Sequence, residues 1–290
     1  MKFTISVPSY NQGQFLPYTI DSIVEQSHRD VEIIVHDGGS TDKSVEILKR
    51  YKRYEPCITW SSERDRGQTD AINKGLNAAT GEIFAYLNSD DIYFPGALEI
   101  VNAYFEQNPD CEILYGDAHH IKADGSFLEA YPTQEWDYAK LFQTCYFCQP
   151  AVFWKRGLFD KYGTFDERLH YAMDYDYWLR VGAHVKPHYL KGKVLAGSRL
   201  HEDTKTLSQR VAVHHEILQV VRRHARNESD TYAWLNNLAS VKVQTMNWHP
   251  SKTWWKHRIH VWLFKKYVRQ YAEQYHIRID SGLNTFLESL

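Results

Sequence analysis

Two adjacent carboxylates, Asp90 and Asp91, follow Asn88 and Ser89 at the end of a short apolar run. Their oxygens are hard ligands of the kind that Mg²⁺ and Mn²⁺ prefer. Two neighbouring carboxylates at one strand end repel each other unless a cation lies between them and a diphosphate. The alternative role is a helix N-cap, but a cap needs one Asp placed closer to the next helix. The pair therefore favours a metal–diphosphate site.

Three more polar clusters follow apolar runs, at Pro8–Asn11, Asp37–Ser40 and Glu63–Asp65. An ionised Asp37 only accepts hydrogen bonds, so it suits the ring N–H of uracil, thymine or guanine. Tyr10 could stack on such a base. Asx and Gly residues are also common in turns, and any one cluster alone is better explained as a turn. The four clusters together favour a ligand site.

The hydrophobic pattern predicts the elements that would bring these clusters together. Candidate strands are Phe3–Val7, Val31–Val35, Cys57–Ser61 and Ile83–Leu87. Helices are predicted between and after these strands, within 16–24, 41–51, 68–79 and 95–107. This alternation predicts an α/β fold with a mostly parallel sheet flanked by helices on both faces. Ligands bind beyond the carboxyl ends of such strands, where all four clusters lie.

The second half of the chain is less regular. Short strands are predicted near 113–115, 127–130 and 151–154. From about His201 onward the pattern predicts helices alone, near 207–221, 234–243 and 254–271. We therefore place a domain boundary near residue 200.

Composition and missing motifs narrow the function classes. The 290 residues carry a formal net charge of −2 and a pI near 6.7, which argues against nucleic acid as the partner. The sequence contains no Walker-type loop and no GxGxxG motif, so phosphate binding through a metal is favoured over a glycine cradle. No apolar run approaches ~20 residues, and the N-terminus becomes polar too early for a secretory signal. With four cysteines interpreted as reduced thiols, we expect a cytoplasmic protein.

Over about residues 1–205 the chain contains, in this order, the motifs ISVPSYNQGQFL, HDGGSTDKS, SERDRGQTDAINKGLNAATGEIFAYLNSDD, CQPAVFW, MDYDYWLR and RLHEDTKT. Through these motifs the sequence resembles the family 2 glycosyltransferases, which have the GT-A fold. The resemblance implies a GT-A catalytic domain at 1–200, with a nucleotide-sugar half at 1–110 and an acceptor half at 111–200. A C-terminal helical region at 201–290 would follow it.

The resemblance assigns roles to the first three clusters. In the family, the Pro-x-Tyr-Asn stretch and the Asp after the second strand hold the nucleobase and ribose. The corresponding residues here are Pro8, Tyr10, Asn11 and Asp37, with Asp65 as an additional nucleotide contact.

The family's Asp-x-Asp element corresponds here to Asn88-Ser89-Asp90. An amide at position 88 can hydrogen-bond a ribose hydroxyl but carries no charge. The resemblance therefore implies that Asn88 and Ser89 contact the donor and that Asp90 binds the Mn²⁺ or Mg²⁺. Asp91 would be either a further ligand or a support for the loop.

The resemblance also implies a catalytic base. The family's Glu-Asp pair appears here as Met173-Asp174, so Asp174 is the expected base of an inverting transfer. It would take the proton of the acceptor hydroxyl as the oxygen attacks the anomeric carbon. The alternative is a helix-capping carboxylate or a partner of Arg180, and we expect that structural role for Asp176.

Three further residues complete the expected site. Related sequences carry a histidine that closes on the metal and diphosphate from the C-terminal side, and His201 corresponds to it. A lone histidine is more often a surface or core residue. Gln149 and Trp178 are predicted acceptor contacts, although a core position is the commoner outcome for a tryptophan.

These residues predict an inverting, metal-dependent glycosyltransferase. Its donor would be a UDP-, dTDP- or GDP-sugar and its acceptor a hydroxyl of a glycan or a lipid-linked molecule, in polysaccharide or glycan assembly. One alternative is a sugar-1-phosphate nucleotidyltransferase, but PSYNQGQF is not the glycine- and arginine-rich loop of those enzymes. Another is a nucleotide-sugar-binding module whose catalysis has lapsed, which Asn88 and Met173 keep open.

The C-terminal segment 251–272 is basic and aromatic, with six Lys and Arg residues, three Trp and no acid. Such a helix suggests peripheral contact with the inner face of a membrane. However, Lys266 interrupts the apolar stripe that includes Trp262, Leu263 and Tyr267. Packing against the catalytic domain or a partner subunit is the alternative.

Overall fold

The computed structural model describes residues 1–201, 204, 208–246 and 254–290. The chain divides into two compact units. The first unit is Met1–Trp136 with Tyr146–His201, and the second is Asp137–Cys145 with Glu202–Leu290. The assignment of residues 137–145 to the second unit was not predicted from the sequence.

Within the described residues, the first unit is built on one nine-stranded sheet. Its strands are β1 (Phe3–Ser9), β2 (Val31–Asp37), β3 (Ile58–Ser62), β4 (Ile83–Tyr86), β5 (Ile92–Tyr93), β6 (Ile113–Ile121), β7 (Phe127–Ala130), β8 (Val152–Lys155) and β9 (His188–Arg199). They lie in the order β3-β2-β1-β4-β8-β6-β9-β5, and β7 pairs with β6. The pairs β3-β2, β2-β1, β1-β4 and β6-β9 are parallel. The predicted α/β fold with a mostly parallel sheet is confirmed.

The helices of the first unit follow the strands as the sequence predicts. They are α1 (Leu16–Val24), α2 (Ser44–Tyr54), α3 (Gln68–Asn77), α4 (Ala97–Gln107), α6 (Gly157–Tyr162) and α7 (Met173–Gly182). The helix expected from residue 95 begins two residues later, because Gly96 has a φ of 81° and is not helical. The second unit contains α5 (Tyr138–Leu141), α8 (Arg210–His224), α9 (Tyr232–Thr245), α10 (Trp254–Gln274) and α11 (Ser281–Ser289).

Strand β9 was not predicted, and its sequence explains why. Its first half, HYLKGK, has no run of apolar residues, and burial begins only at Leu195. It pairs with β6 through two register shifts, between Gly116 and Asp117 and between Asp117 and Ala118. Bulges of this kind disrupt the alternation of side chains on which a strand prediction depends.

The central strand β1 is buried along its whole length, so its polar residues need partners within the protein. Ser6 Oγ donates to the carbonyl of Ile72 on α3. A Cβ on Gly75 would lie 2.2 Å from Ser6 Oγ, so only glycine allows α3 to approach β1 this closely. This approach holds α3 close against β1.

At the opposite edge, Glu32 joins β2 to β1 and to the start of β4. Its carboxylate accepts from Thr4 Oγ1, from the backbone N–H groups of Thr80 and Gly81, and lies 3.3 Å from Lys2 Nζ. Burial alone would raise the pKa of Glu32, but these hydrogen bonds outweigh it and lower the pKa to about 2. The ionised carboxylate therefore stabilises the fold.

The described part of the chain contains no helix long and apolar enough to cross a bilayer. Of the four cysteines, Cys111 and Cys148 are buried, whereas Cys57 and Cys145 are partly buried. Their predicted state as reduced thiols stays a prediction.

We expect Glu32→Gln to lower the free energy of unfolding by about 2 kcal/mol at neutral pH, because one amide oxygen cannot satisfy the donors that face both carboxylate oxygens. Urea unfolding measures the loss. A folded-state pKa below the unfolded value stabilises at high pH, so the difference from wild type shrinks as pH falls from about 4.5 toward 2. Glu46→Gln, on the exposed side of α2, is the control, and equal losses in both variants would contradict the assignment.

Candidate metal and nucleotide site

The loop Asn88–Asp91 follows β4 and turns at once into β5. The N–H of Leu87 donates to the carbonyl of Ser6 on β1, and the N–H of Asp91 donates to the carbonyl of Asn88 at 3.0 Å. The next helix, α4, begins only at Ala97 and has no side-chain N-cap. Asp90 and Asp91 are therefore not capping residues, and the alternative explanation of this pair is excluded.

Asp91 points into the protein and supports the loop. It is 3% exposed, and its Oδ1 accepts from the backbone N–H of Arg199 at 2.8 Å. Its Oδ2 accepts from Asn88 Nδ2 at 3.1 Å. Burial, followed by the neighbouring charge of Asp90, raises the pKa of Asp91 to about 8. Of the two carboxylates, Asp90 is the one available to a ligand.

Asp90 lies beside His201, which follows β9. Asp90 Oδ2 is 3.0 Å from His201 Nε2, although the two residues are 111 positions apart in the sequence. The Asp90 side chain is 19% exposed and that of His201 is 7% exposed, with its ring against Phe15 at 4.8 Å between centroids. The structure thus brings together the two residues that the sequence predicted as metal ligands.

This pair fits Mn²⁺ or Mg²⁺ held partly by a substrate. No group of three or more His, Cys, Asp or Glu side chains that could hold a metal occurs among the residues the structure describes. Mg²⁺ typically binds to one or two carboxylates and takes its other ligands from water and substrate phosphates. One carboxylate and one imidazole therefore suit a metal–diphosphate complex better than a metal bound by protein alone.

Arg199 fixes the position of this loop, and the sequence prediction missed it. Its side chain is almost fully buried, and Nε donates to the carbonyl of Asp90 at 2.7 Å. Its Nη1 donates to the carbonyls of Lys122 and Ala123 at 3.2 and 2.9 Å, and its guanidinium lies 5.1 Å over the Phe15 ring. The available signal was its place two residues before His201 in the motif RLHEDTKT.

Three amides form a chain behind the loop. Gln68 Nε2 donates to Asn88 Oδ1 at 2.7 Å, and Asn88 Nδ2 lies 3.4 Å from Gln149 Oε1. Gln149 Nε2 in turn donates to the carbonyl of Tyr86 at 2.7 Å. An ionised carboxylate at position 88 would have no N–H to donate to Asp91 Oδ2 or Gln149 Oε1. These hydrogen bonds between amides explain why an amide is accommodated at position 88.

The loops after β1 and β2 are locked to each other through Asn11. Asn11 has a φ of 52°, a left-handed conformation that asparagine tolerates. Its backbone N–H donates to Ser40 Oγ at 2.7 Å, and its Oδ1 accepts from the N–H of Thr41 at 2.9 Å. Tyr10, one residue earlier, is 60% exposed. Asn11 shapes the predicted nucleotide site, and Tyr10 presents a ring to solvent.

Asp37 is held firmly at the end of β2. It is 1% exposed, and its Oδ2 accepts from the N–H of Ser40 at 2.9 Å and from Ser62 Oγ at 2.7 Å. Its Oδ1 accepts from Ser40 Oγ. The predicted hydrogen bond from a base N–H stays a prediction, and Oδ1 has the greater remaining capacity to accept it.

Pro8 and Asp65 lie on either side of Asp37. Pro8 is buried within β1, opposite His36 of β2. Asp65 accepts from the N–H of Gly67 at 2.9 Å, and a Cβ on Gly38 would lie 2.8 Å from Asp65 Oδ2. Gly38 therefore lets Asp65 approach the Asp37 turn, as the predicted nucleotide role requires.

Asp174 lies in the first turn of α7 and is partly exposed. Its Oδ1 accepts from the N–H of Tyr175 at 2.8 Å. Arg180 lies 3.6 Å from Asp176, which is 2% exposed, so Asp176 takes the ion-pairing role that was the alternative for Asp174. The contribution of Asp174 to catalysis stays a prediction.

Helix α3 links the segment before Asp174 to the Asn88 loop. Gln68, its first residue, donates to Asn88, and the hydroxyl of the next residue, Thr69, donates to the carbonyl of Leu169 at 2.8 Å. Leu169 precedes the first residue of α7 by four positions. One helix end thus positions both parts of the predicted site.

The expectation that Trp178 contacts the acceptor is wrong. The side chain is 1% exposed and packs edge-on against Trp154 at 5.5 Å and Phe147 at 5.9 Å. An indole buried in this aromatic cluster has no face for a sugar. Gln149 lies in the amide chain next to Asn88, and its acceptor role stays a prediction.

We expect Arg199→Lys to lower the free energy of unfolding by about 2 kcal/mol, because a lysine cannot reach the three carbonyls that the guanidinium satisfies. Urea unfolding of the whole chain measures the change. Arg53→Lys, on the exposed surface of α2, is the matched control. A loss equal to that of the control would show that Arg199 does not hold the loop.

Comparisons with known proteins agree with the geometry. The profile of Glycosyl transferase family 2 matches residues 4–163, more than half of the chain. A PGL/p-HBAD biosynthesis glycosyltransferase of Mycobacterium bovis is 29% identical over 184 residues, which cover 61% of this chain and 68% of the relative. An uncharacterized glycosyltransferase of Rickettsia typhi is 30% identical over 218 residues, 70% of this chain and 65% of the relative.

Solved structures share the fold. Residues 1–349 of S. aureus TarS, in complex with UDP-GlcNAc, superpose with a TM-score of 0.62 at 18% identity. The match covers 92% of this chain and 82% of that TarS chain. A mannosyltransferase from Pyrobaculum calidifontis, in complex with GDP-Man and Mn²⁺, superposes with a TM-score of 0.65 at 18% identity. The match covers 95% of this chain and 84% of the mannosyltransferase chain. The fold, the matched profile and the named relatives together show that the chain is a transferase enzyme and belongs to glycosyl transferase family 2.

Proposed function

We propose that the protein is an inverting glycosyltransferase that moves a sugar from a nucleoside-diphosphate sugar to an acceptor hydroxyl. The observation that carries the proposal is the contact of Asp90 Oδ2 with His201 Nε2 at 3.0 Å, at the carboxyl edge of a parallel sheet. A carboxylate and an imidazole at this edge lie where ligands of open α/β sheets bind. They support a bound Mn²⁺ or Mg²⁺ with a diphosphate.

Asp90 and His201 would hold the metal, while Asp91 and Arg199 keep the loop in place from behind. When bound, such an ion stabilises negative charge on the departing nucleoside diphosphate. Asn88 and Ser89 lie in the same loop and would contact the donor.

The proposed donor carries uracil, thymine or guanine. Asp37 would accept the ring N–H of the base, Tyr10 would stack on it, and Pro8, Asn11 and Asp65 would shape the site for base and ribose. The complexes of TarS with UDP-GlcNAc and of the mannosyltransferase with GDP-Man support this class of donor by analogy. Adenine and cytosine have no ring imino N–H for Asp37.

The proposed base is Asp174. Its position in the first turn of α7 leaves the carboxylate partly exposed, while Asp176 takes the pairing with Arg180. It would remove the proton from the acceptor hydroxyl as that oxygen attacks the anomeric carbon, giving inversion in a single displacement. We propose a glycan or lipid-linked hydroxyl as the acceptor, in polysaccharide or glycan assembly.

Thermal unfolding with UDP, dTDP, GDP and ADP, with and without Mn²⁺, tests the donor site. We expect Mn²⁺ with UDP, dTDP or GDP at 100 times Kd to add ~2.7 kcal/mol of stability. Asp90→Asn should abolish the metal-dependent part, and His201→Ala should weaken it. Asp110→Asn, on an exposed loop, is the control. Stabilisation by ADP alone, or a metal effect unchanged in Asp90→Asn, would contradict the site.

Asp174→Asn separates catalysis from donor binding. We expect the transfer or donor-hydrolysis rate to fall by about 100-fold or more, in the range that general bases contribute, with the nucleotide–Mn²⁺ stabilisation unchanged. Asp160→Asn, an exposed carboxylate on α6, is the matched control. If wild type and Asp174→Asn are equally inactive while nucleotide and metal still bind, the module with lapsed catalysis is the correct interpretation.

A further inference from the structure

The second unit is basic, in contrast to the rest of the chain. Its sequence contains fourteen Lys and Arg against nine Asp and Glu, whereas the first unit contains twenty against twenty-seven. The bias is strongest in residues 231–272, which contain seven Lys and Arg and no acid. A segment with this composition attracts anionic partners.

The structure separates α10 into two distinct faces. Its buried face consists of Leu263, Val268, Tyr271 and Ala272, none more than 7% exposed. This face includes the residues through which α10 packs within the second unit. Most of the exposed positions of α10 lie on the other side of the helix.

That other side carries the exposed Arg258, Trp262, Lys266 and Arg269 and the half-buried Lys265, and we name these five residues the Trp262 face. Their spacing of i, i+4, i+7, i+8 and i+11 places them along one side of a helix with 3.6 residues per turn. Trp262 is 60% exposed, and Lys266 Nζ lies 5.5 Å from its ring centroid. The sequence pattern had grouped Trp262 with Leu263 and treated Lys266 as an interruption. Instead, Trp262 and Lys266 share a face from which Leu263 is excluded.

The Trp262 face matches the chemistry of an anionic bilayer surface. Indole rings favour the headgroup region, because one part is apolar and the N–H finds polar partners there. Lys and Arg side chains beside the ring gain electrostatic attraction to anionic headgroups. Glu273, one turn beyond Arg269, is the single acidic residue of α10 and lies near the C-terminal end of the helix.

We propose that the Trp262 face binds the headgroups of an anionic phospholipid bilayer, with α10 lying in the plane of the membrane. The interaction is peripheral, with Trp262 inserted between headgroups and the four basic side chains around it. It involves none of the residues of the proposed donor site, so it stands or falls separately from the transfer reaction.

Co-sedimentation of the full chain with vesicles tests the proposal. The vesicles are phosphatidylcholine alone, or phosphatidylcholine mixed two to one with phosphatidylglycerol. We expect wild type to bind the anionic vesicles much more strongly than the neutral ones, and to be released by high salt. The triple variant Lys265→Gln, Lys266→Gln, Arg269→Gln should bind about 100-fold more weakly, at roughly fivefold per charge. Trp262→Ala should also bind more weakly, although it keeps every charge.

The matched control is the triple variant Lys49→Gln, Arg50→Gln, Arg53→Gln, which removes the same net charge from the exposed surface of α2. It should bind anionic vesicles nearly as well as wild type. Thermal unfolding and the nucleotide–Mn²⁺ stabilisation should be unchanged in all these variants, because the substituted side chains lie outside the core and the donor site. Three outcomes would overturn the proposal. They are equal binding to neutral and anionic vesicles, equal binding by wild type and the α10 triple variant, and equal losses in the α10 and α2 variants.

Discussion

The carboxylate of Asp91 accepts the backbone N–H of Arg199, and this contact joins the loop after β4 to the end of β9 across 108 residues of sequence. The Arg199 side chain forms a second hydrogen bond across the same junction, from Nε to the carbonyl of Asp90. His201 follows Arg199 by two positions, so the same contacts that hold Asp90 also bring the imidazole to it. Together with the pairing of Ile92 with Gly197 between β5 and β9, this junction sets the distance between the two candidate metal ligands.

The amide at position 88 follows from the same junction. Asp91 needs a donor for its second oxygen, and Asn88 Nδ2 supplies it while Asn88 Oδ1 accepts from Gln68. An ionised aspartate there could still accept from Gln68 but could not donate to Asp91, since a carboxylate only accepts. The departure from an Asp-x-Asp pattern therefore leaves Asp90 available to a ligand, while the buried Asp91 supports the loop.

The first four strand–helix repeats could be predicted because each strand is a continuous apolar run and each helix has a regular apolar face. Parallel strands end at one edge of a sheet, so the topology predicts that the four polar clusters lie near each other. The contact between Asp90 and His201 could not be predicted in this way. It depends on β9, whose first half is polar and whose pairing with β6 is bulged. The burial of Trp178 could not be predicted either, because an aromatic residue is equally typical of a ligand cleft and of a core.

Helix α10 shows the complementary limit of sequence patterns. Around Lys266 the sequence allows two apolar stripes, one through Trp262 and one through Leu263. Hydrophobicity alone predicts that both residues are buried. Packing selects the stripe through Leu263, Val268 and Tyr271, which leaves the indole in solvent among basic side chains. The fold thus leaves the indole exposed beside Lys266 and near three further basic side chains. A partner that is both apolar and anionic would suit this arrangement, and a bilayer surface offers the two properties together.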